Sequence, residues 1–178
     1  MWCCLVGSEM CIRDRGGYYE SSTVRINPTG SVTVFTGSHS HGQGHETVFA
    51  QIVHEKLGVA FDSIDVVHGD TGRVPFGVGT VGSRSLAVGG PALMRSIDKI
   101  IDKGKKIAAH LLDTSYDEIT FKDGEFSVSN SNKFIAFSDV VGAAYVPGNY
   151  PIETLEPGLE ETSFYDPPNL TYPAGAHI

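Results

Sequence analysis

Cysteine is nearly missing from this 178-residue chain: its three copies, Cys3, Cys4 and Cys11, all lie within the first fifteen residues. From Gly16 onward there is none, which removes a disulfide framework, a thiolate zinc site and a cysteine nucleophile from the body of the protein. Tryptophan is as scarce, with Trp2 the single copy. No apolar run approaches the ~20 residues needed to span a bilayer, so a transmembrane helix is excluded. Positive charge is also short. Lys and Arg number 13 against 21 Asp and Glu, a formal net charge of −8, and the chain carries no Lys or Arg from Phe134 onward. Nucleic-acid surfaces need a basic stripe, so that class is excluded as well. What remains, 40% hydrophobic and 19% charged, has the profile of one folded globular unit.

The first fifteen residues do not form a signal peptide, because they lack a long apolar stretch and carry Glu9, Arg13, Asp14 and Arg15. Leu5–Arg15 looks like the translation of a transposase adapter used in sequencing-library preparation. Residues 1–15 are therefore expected to be a non-native leader, with Gly16 a break in the gene rather than a biological start.

The body reads as a mixture of hairpins and helices. Thr23–Asn27 and Ser31–Phe35 alternate around the turn Asn27-Pro28-Thr29-Gly30, a hairpin signal. Val48, Phe49, Ile52, Val53 and Leu57 repeat with helical spacing until Gly58 stops the run. Ser63–His68 reads as a strand. A long helix is expected from about Leu86 to Leu112, burying Leu93, Ile97, Ile100, Ile101, Ile107, Leu111 and Leu112. Glu118–Lys122 and Glu125–Ser129 form a second hairpin, and a short helix over Ser138–Tyr145 would take Ser138 as its N-cap. Six of the nine prolines crowd between Pro147 and Pro173. That region reads as an ordered loop, packed on a neighbour through Leu155, Leu159, Phe164, Tyr165, Leu170 and Tyr172. The fold class expected is α+β, hairpins packed with two principal helices.

Glycine marks where the chemistry lies: 11 of 21 copies fall between Gly37 and Gly90. One cluster, Gly37-Ser38-His39-Ser40-His41-Gly42-Gln43-Gly44-His45-Glu46-Thr47, follows a strand and opens a helix. Free backbone amides and the positive helix end point at one place there, the physical recipe for an anion site. A second, Gly77-Val78-Gly79-Thr80-Val81-Gly82-Ser83-Arg84-Ser85, adds hydroxyls, a guanidinium and more helix-start amides. Two such loops facing each other could hold a large phosphorylated cofactor. A dinucleotide fingerprint is incomplete, since Thr47 stands where the third glycine belongs, and no P-loop Gly-Lys-Ser/Thr exists. His39, His41 and His45 have a spacing open to zinc, so a zinc hydrolase is an alternative. A non-catalytic binding module with an acidic docking tail is another.

These motifs, in this order and spacing, resemble the molybdenum-binding large subunit of the molybdenum hydroxylases, the xanthine dehydrogenase and aldehyde oxidase family. They are Gly42-Gln-Gly-His-Glu-Thr47, Ala50-Gln-Ile52, Gly69-Asp-Thr71 and Gly77-Val-Gly-Thr-Val-Gly-Ser-Arg-Ser85. Leu155-Glu-Pro-Gly-Leu-Glu160 and Tyr165-Asp-Pro-Pro-Asn-Leu-Thr-Tyr-Pro173 are similar to the aerobic carbon monoxide dehydrogenase branch. The resemblance implies a slice of a longer chain, with residues 16–145 a fragment of the molybdopterin-dinucleotide-binding domain and 146–178 a Pro-rich acidic segment leading on. It implies a molybdenum–molybdopterin cytosine dinucleotide, with Gly42, Gln43, Gly44 and His45 along the pterin and pyrophosphate. Thr80, Val81, Gly82, Ser83, Arg84 and Ser85 would hold the phosphates and nucleotide. In the family no protein side chain ligates molybdenum. The catalytic glutamate comes from beyond Ile178, and carbon monoxide oxidisers add a copper-bearing cysteine loop from before Gly16. No catalytic residue is therefore expected in this chain, and the fragment alone is expected to be inactive. FAD and 2Fe-2S clusters would sit on a medium and a small partner subunit, in a dimer of heterotrimers. A cytoplasmic location, with peripheral attachment to the inner face of the membrane as its variant, completes the expectation.

Overall fold

Val24 and Ile26 alternate with polar neighbours, as do Val32 and Val34, and all four side chains are fully buried. In the computed structural model, which describes residues 19–82, 84–129 and 131–168, they place β1 (Glu20–Ile26) and β2 (Val32–Thr36) as the expected antiparallel hairpin. Gly30 closes its turn with φ 86°, a value open to glycine at no steric cost. The chain then enters α1 (His45–Leu57), which buries Phe49, Ala50, Val53 and Leu57 and ends at Gly58 in the left-handed conformation, φ 69°. Strand β3 (Ile64–Val67) returns parallel to β2, in register from Val32↔Ile64 to Phe35↔Val67.

The long helix starts later than its sequence suggests. Ser85–Gly89 form a wide π-type turn, and α2 runs from Gly90 to Leu112 with Pro91 in its first turn, where a missing N–H costs nothing. Leu93, Ile97, Ile100 and Ile107 are buried as expected, whereas Ile101, Leu111 and Leu112 are only partly covered. Helix α2 lies across β1 and β7 (Leu159–Tyr165) and continues over a second sheet made of β4 (Ile119–Lys122), β5 (Glu125–Val128) and β6 (Phe134–Ala136). The β4–β5 turn has Asp123 and Gly124 both at positive φ, 50° and 79°, as a tight two-residue hairpin demands.

Two expectations fail. Helix α3 (Phe137–Ala144) begins after Ala136, which offers no side-chain cap, so Ser138 lies inside the helix and is not its N-cap. The Pro-rich region is not only loop. Leu159–Tyr165 form β7, paired antiparallel with β1 over its full length, from Glu20↔Tyr165 to Ile26↔Leu159. Its residues hardly alternate in polarity, and pairing partners set the strand instead. Thr162 meets Thr23 at 2.7 Å, and Glu160 takes a two-pronged ion pair from Arg25 at 2.8 and 2.9 Å. The main sheet therefore runs β3-β2-β1-β7. Leu170 and Tyr172 lie outside the described residues, as do residues 1–18.

Core packing makes two helical glycines opposite in sign. A Cβ on Gly104 of α2 would come within 2.6 Å of the ring of Phe126, which is fully buried, while one on Gly142 of α3 meets nothing within 4 Å. Gly104→Ala is expected to destabilise by about 1–3 kcal/mol through overpacking. Gly142→Ala is expected to stabilise by about 0.5–1 kcal/mol, the ordinary helix-propensity gain. Urea unfolding midpoints of the two variants against the parent check both signs.

Candidate functional site

Strand directions decide where the candidate residues gather. β2 and β3 are parallel, so their carboxyl ends lie on the same side of the sheet, and antiparallel β1 brings its first residues there, with Ser22 opposite Thr36. Tyr19–Ser21, residues 37–44 ahead of α1 and residues 68–82 after β3 thus meet at one end. In α/β units the crevice outside the carboxyl ends of the strands is where ligands bind.

Residues 37–44 present backbone rather than side chain. Gly42 and Gly44 hold φ 98° and 76°, and a Cβ on either would meet nothing within 4 Å, so open space lies before them. Gly44 caps α1 without a side chain, leaving the positive end of the helix for an anion. One amide is already engaged: Glu46 accepts from its own N–H and, at 2.7 Å, from His68 Nε2. These hold its carboxyl well below the usual range, at about 2, the backbone bond contributing most. His68 Nδ1 lies 3.0 Å from His39 Nδ1, so one proton is shared and one ring donates while the other accepts. Gln43 folds back, its Oε1 accepting the His41 amide. His45 turns inward instead. It is buried with its ring 5.7 Å from Phe49, its Nδ1 has no partner, and burial lowers its pKa and favours the neutral ring.

The second loop leans on the first. The Thr80 hydroxyl donates to the His39 carbonyl, and the Ser85 hydroxyl donates to Thr80 Oγ1 at 3.2 Å. Gly79 and Gly82 take φ 80° and 56°, Val81 is exposed, and Arg84 leads into the π-type turn. Ser83 lies outside the described residues. Further back the two backbones touch: a Cβ on Gly37 would collide with Gly77 Cα, and one on Gly77 with Gly37 Cα. The Ser21 hydroxyl donates to the Phe76 carbonyl at 2.5 Å and accepts the Phe76 amide at 3.2 Å, and Tyr19 stacks on the Phe76 ring at 4.3 Å. Beside this crossing a cleft of about 230 Å³ opens between Thr36, Gly37, Asp70, Thr71 and Phe76.

Glu20 is the unexpected member. The residue is 5% exposed beneath the crossing, and burial raises its pKa to about 7 against the opposing pull of the Ser21 amide, the Ser38 hydroxyl, the Val78 amide and Arg84. Its Oε1 and the Ser38 hydroxyl are both buried without a hydrogen bond of good geometry among the described residues. The structure thus brings Gly42, Gln43, Gly44, Thr80, Val81, Gly82, Arg84 and Ser85 to one end of the sheet, as the two-loop expectation requires. The His45 ring is buried against Phe49 behind the same loop. Glu20, Ser21 and His68 join without having been expected. The signal that finds them is strand direction, which periodicity alone does not carry. Among the described residues no three His, Cys, Asp or Glu side chains group as metal ligands, so His39, His41 and His45 do not form the zinc triad their spacing allowed.

A family model described as the molybdopterin cofactor-binding domain matches residues 1–178. The chain belongs to this family. It is 41% identical over 172 residues to the carbon monoxide dehydrogenase large chain of Hydrogenophaga pseudoflava, covering 96% of this chain and 21% of that one. The solved carbon monoxide dehydrogenase from Oligotropha carboxidovorans superposes with TM-score 0.80 at 42% identity, over 86% of this chain and 19% of that one. Quinoline 2-oxidoreductase from Pseudomonas putida 86 gives 0.76 at 38% identity, over 85% and 19%. This molybdopterin cofactor-binding domain thus spans about a fifth of the length of the relatives it matches. The expected family, with its carbon monoxide dehydrogenase-like character, and the α+β class are both borne out.

The Gly37–Gly77 crossing carries a prediction. Alanine at either position forces backbone apart and is expected to cost more than about 2 kcal/mol, whereas Gly42→Ala meets only the strain of positive φ, about 1 kcal/mol. Thermal unfolding of the three variants side by side checks the ranking.

Proposed function

We propose that this domain is the dinucleotide-gripping part of the large subunit of a molybdenum oxidoreductase of the carbon monoxide dehydrogenase type. The observation that carries the reading is the convergence of two side-chain-poor loops, one opening directly into a helix, at the carboxyl ends of two parallel strands. Such a site suits pyrophosphate. The amides of residues 42–45 and of the 80–85 segment donate to phosphate oxygens, the Thr80 and Ser85 hydroxyls add directional bonds, and Arg84 supplies positive charge. The open space before Gly42, Gly44 and Gly79 is the room a backbone-bound ligand requires. Gln43 can swing from the His41 amide to the pterin edge, where its amide group both donates and accepts.

When bound, molybdenum in this cofactor supplies two-electron oxidation of a small substrate with water as the oxygen source. The chain's own residues bind and orient the cofactor, the division of labour usual for cofactor enzymes. The cytosine form of the dinucleotide, FAD and 2Fe-2S clusters on medium and small partner subunits, a dimer of heterotrimers and a cytoplasmic setting complete the proposal. Among the described residues no helix is long and apolar enough to cross a membrane.

Gln43→Ala in the full-length subunit is expected to lower molybdenum and dinucleotide content several-fold while the complex still assembles. Metal analysis and chromatography of the nucleotide released by acid measure both. Wild-type content together with wild-type turnover would remove Gln43 from the site.

A further inference from the structure

Glu20 puts a carboxyl where an anion site would least tolerate a second negative charge. It stands at the first position of β1, buried beneath the crossing of Gly37 and Gly77, and a Cβ on Gly37 would strike its Oε1. Residues on both sides of it hold the second loop, Tyr19 by stacking on Phe76 and Ser21 by two bonds to the Phe76 backbone. The carboxyl itself lies near the Val78 amide on that loop and the Ser38 hydroxyl on the other, both of which favour its ionised form. Ser38 in turn lies against the π-type turn, since a Cβ on Gly89 would come within 3.3 Å of its hydroxyl. Three segments of the candidate site therefore close around one side chain that is buried and incompletely bonded.

We infer that Glu20 is a positioning residue that clasps the two loops, and that an anion entering between them is bound together with a proton on this carboxyl. The inference rests on the reading of these loops as a pyrophosphate cradle. Its physics is that of two like charges in a desolvated place, where the second ionises only at a large cost. A protonated Glu20 also gains an O–H donor, which the ionised form lacks, for a buried acceptor nearby. Its raised pKa, about 7, puts the change within reach of neutral pH.

Other charged groups on the packed elements are Asp70 and Arg73 on the second loop and Glu46, whose carboxyl is held ionised at the start of α1. Arg84 acts directly on the carboxyl and favours its ionised form. Tyr165 pairs with Glu20 across β7 and carries Arg95 over its ring at 4.6 Å. His39, His41 and His68 belong to the neighbouring loops, and protonating them would also favour an anion. The esterified pyrophosphate of a dinucleotide has no ionisation near neutrality. A pH dependence of binding therefore comes from the protein, and Glu20→Gln separates the carboxyl from the histidines.

The sign follows from linkage. Binding that takes up a proton weakens as pH rises past the free-state pKa, by up to about tenfold in dissociation constant per pH unit. The test uses the full-length subunit in its complex, dialysed at pH 6 to 9, with retained dinucleotide measured per polypeptide after acid release. Wild type is expected to retain progressively less above pH 7. Glu20→Gln, which mimics the protonated carboxyl in shape and donors, is expected to retain wild-type pH 6 levels with most of the slope removed. Glu20→Ala, which cannot clasp the loops, is expected to hold several-fold less at every pH. A Glu20→Gln slope equal to that of wild type, or full retention by Glu20→Ala, would overturn the assignment of Glu20 alone. A wild-type complex free of dinucleotide would overturn the cradle reading and this inference with it.

Discussion

Parallel pairing of β2 with β3 is the constraint from which the site follows. A parallel pair cannot be joined by a tight turn, so α1 must cross back between them, and its start necessarily lies where β2 ends. That geometry places amides, a helix positive end and the residues following β3 around one crevice before any side chain is chosen. The hairpin partner β1 then delivers Glu20 and Ser21 to the same end, because an antiparallel neighbour begins where β2 finishes. Helix α2, lying across β1 and β7 and sharing one core with α1, holds the π-type turn in place through a continuous helical run.

What the site needs most is the absence of side chains. Gly37 and Gly77 bring two backbones into contact that any Cβ would hold apart, and Gly42, Gly44 and Gly79 leave free space in front of their amides. Glycine costs conformational entropy on folding, and a chain spends it only where something else gains. Here the gain at Gly37 and Gly77 is the backbone crossing, and at the outer loop positions it is the approach of a ligand that we propose. The histidine–carboxylate chain from His39 through His68 to Glu46 stiffens the mouth of the first loop without adding bulk to its floor.

Much of this was legible from residues alone. The β1–β2 and β4–β5 hairpins show in alternation and turn residues, α1 in its apolar spacing and its closing glycine, and the two glycine-rich loops in glycine density next to predicted helix starts. β7 was hidden because Leu159–Tyr165 lacks alternation, its conformation being fixed by partners more than a hundred residues away in sequence. The start of α3 was misplaced because Ser138 looks like a cap, yet the chain enters the helix directly from β6 with Phe137 buried in the aromatic cluster of Phe121 and Phe126. Glu20 and His68 were missed for a related reason. Each becomes part of a site only through strand pairing, and a carboxylate in a strand otherwise reads as a solvated face. His45 shows the two parts of one residue separating: its backbone opens α1 at the first loop while its ring packs inward on Phe49.

A structure of the full-length subunit with its cofactor bound tests the central claim most directly. The account predicts pyrophosphate oxygens within hydrogen-bond distance of amides in both the 42–45 and 80–85 segments, with Gly37 and Gly77 still in contact beneath them. A dinucleotide seated elsewhere, with these two loops facing solvent or a neighbouring subunit, would contradict it.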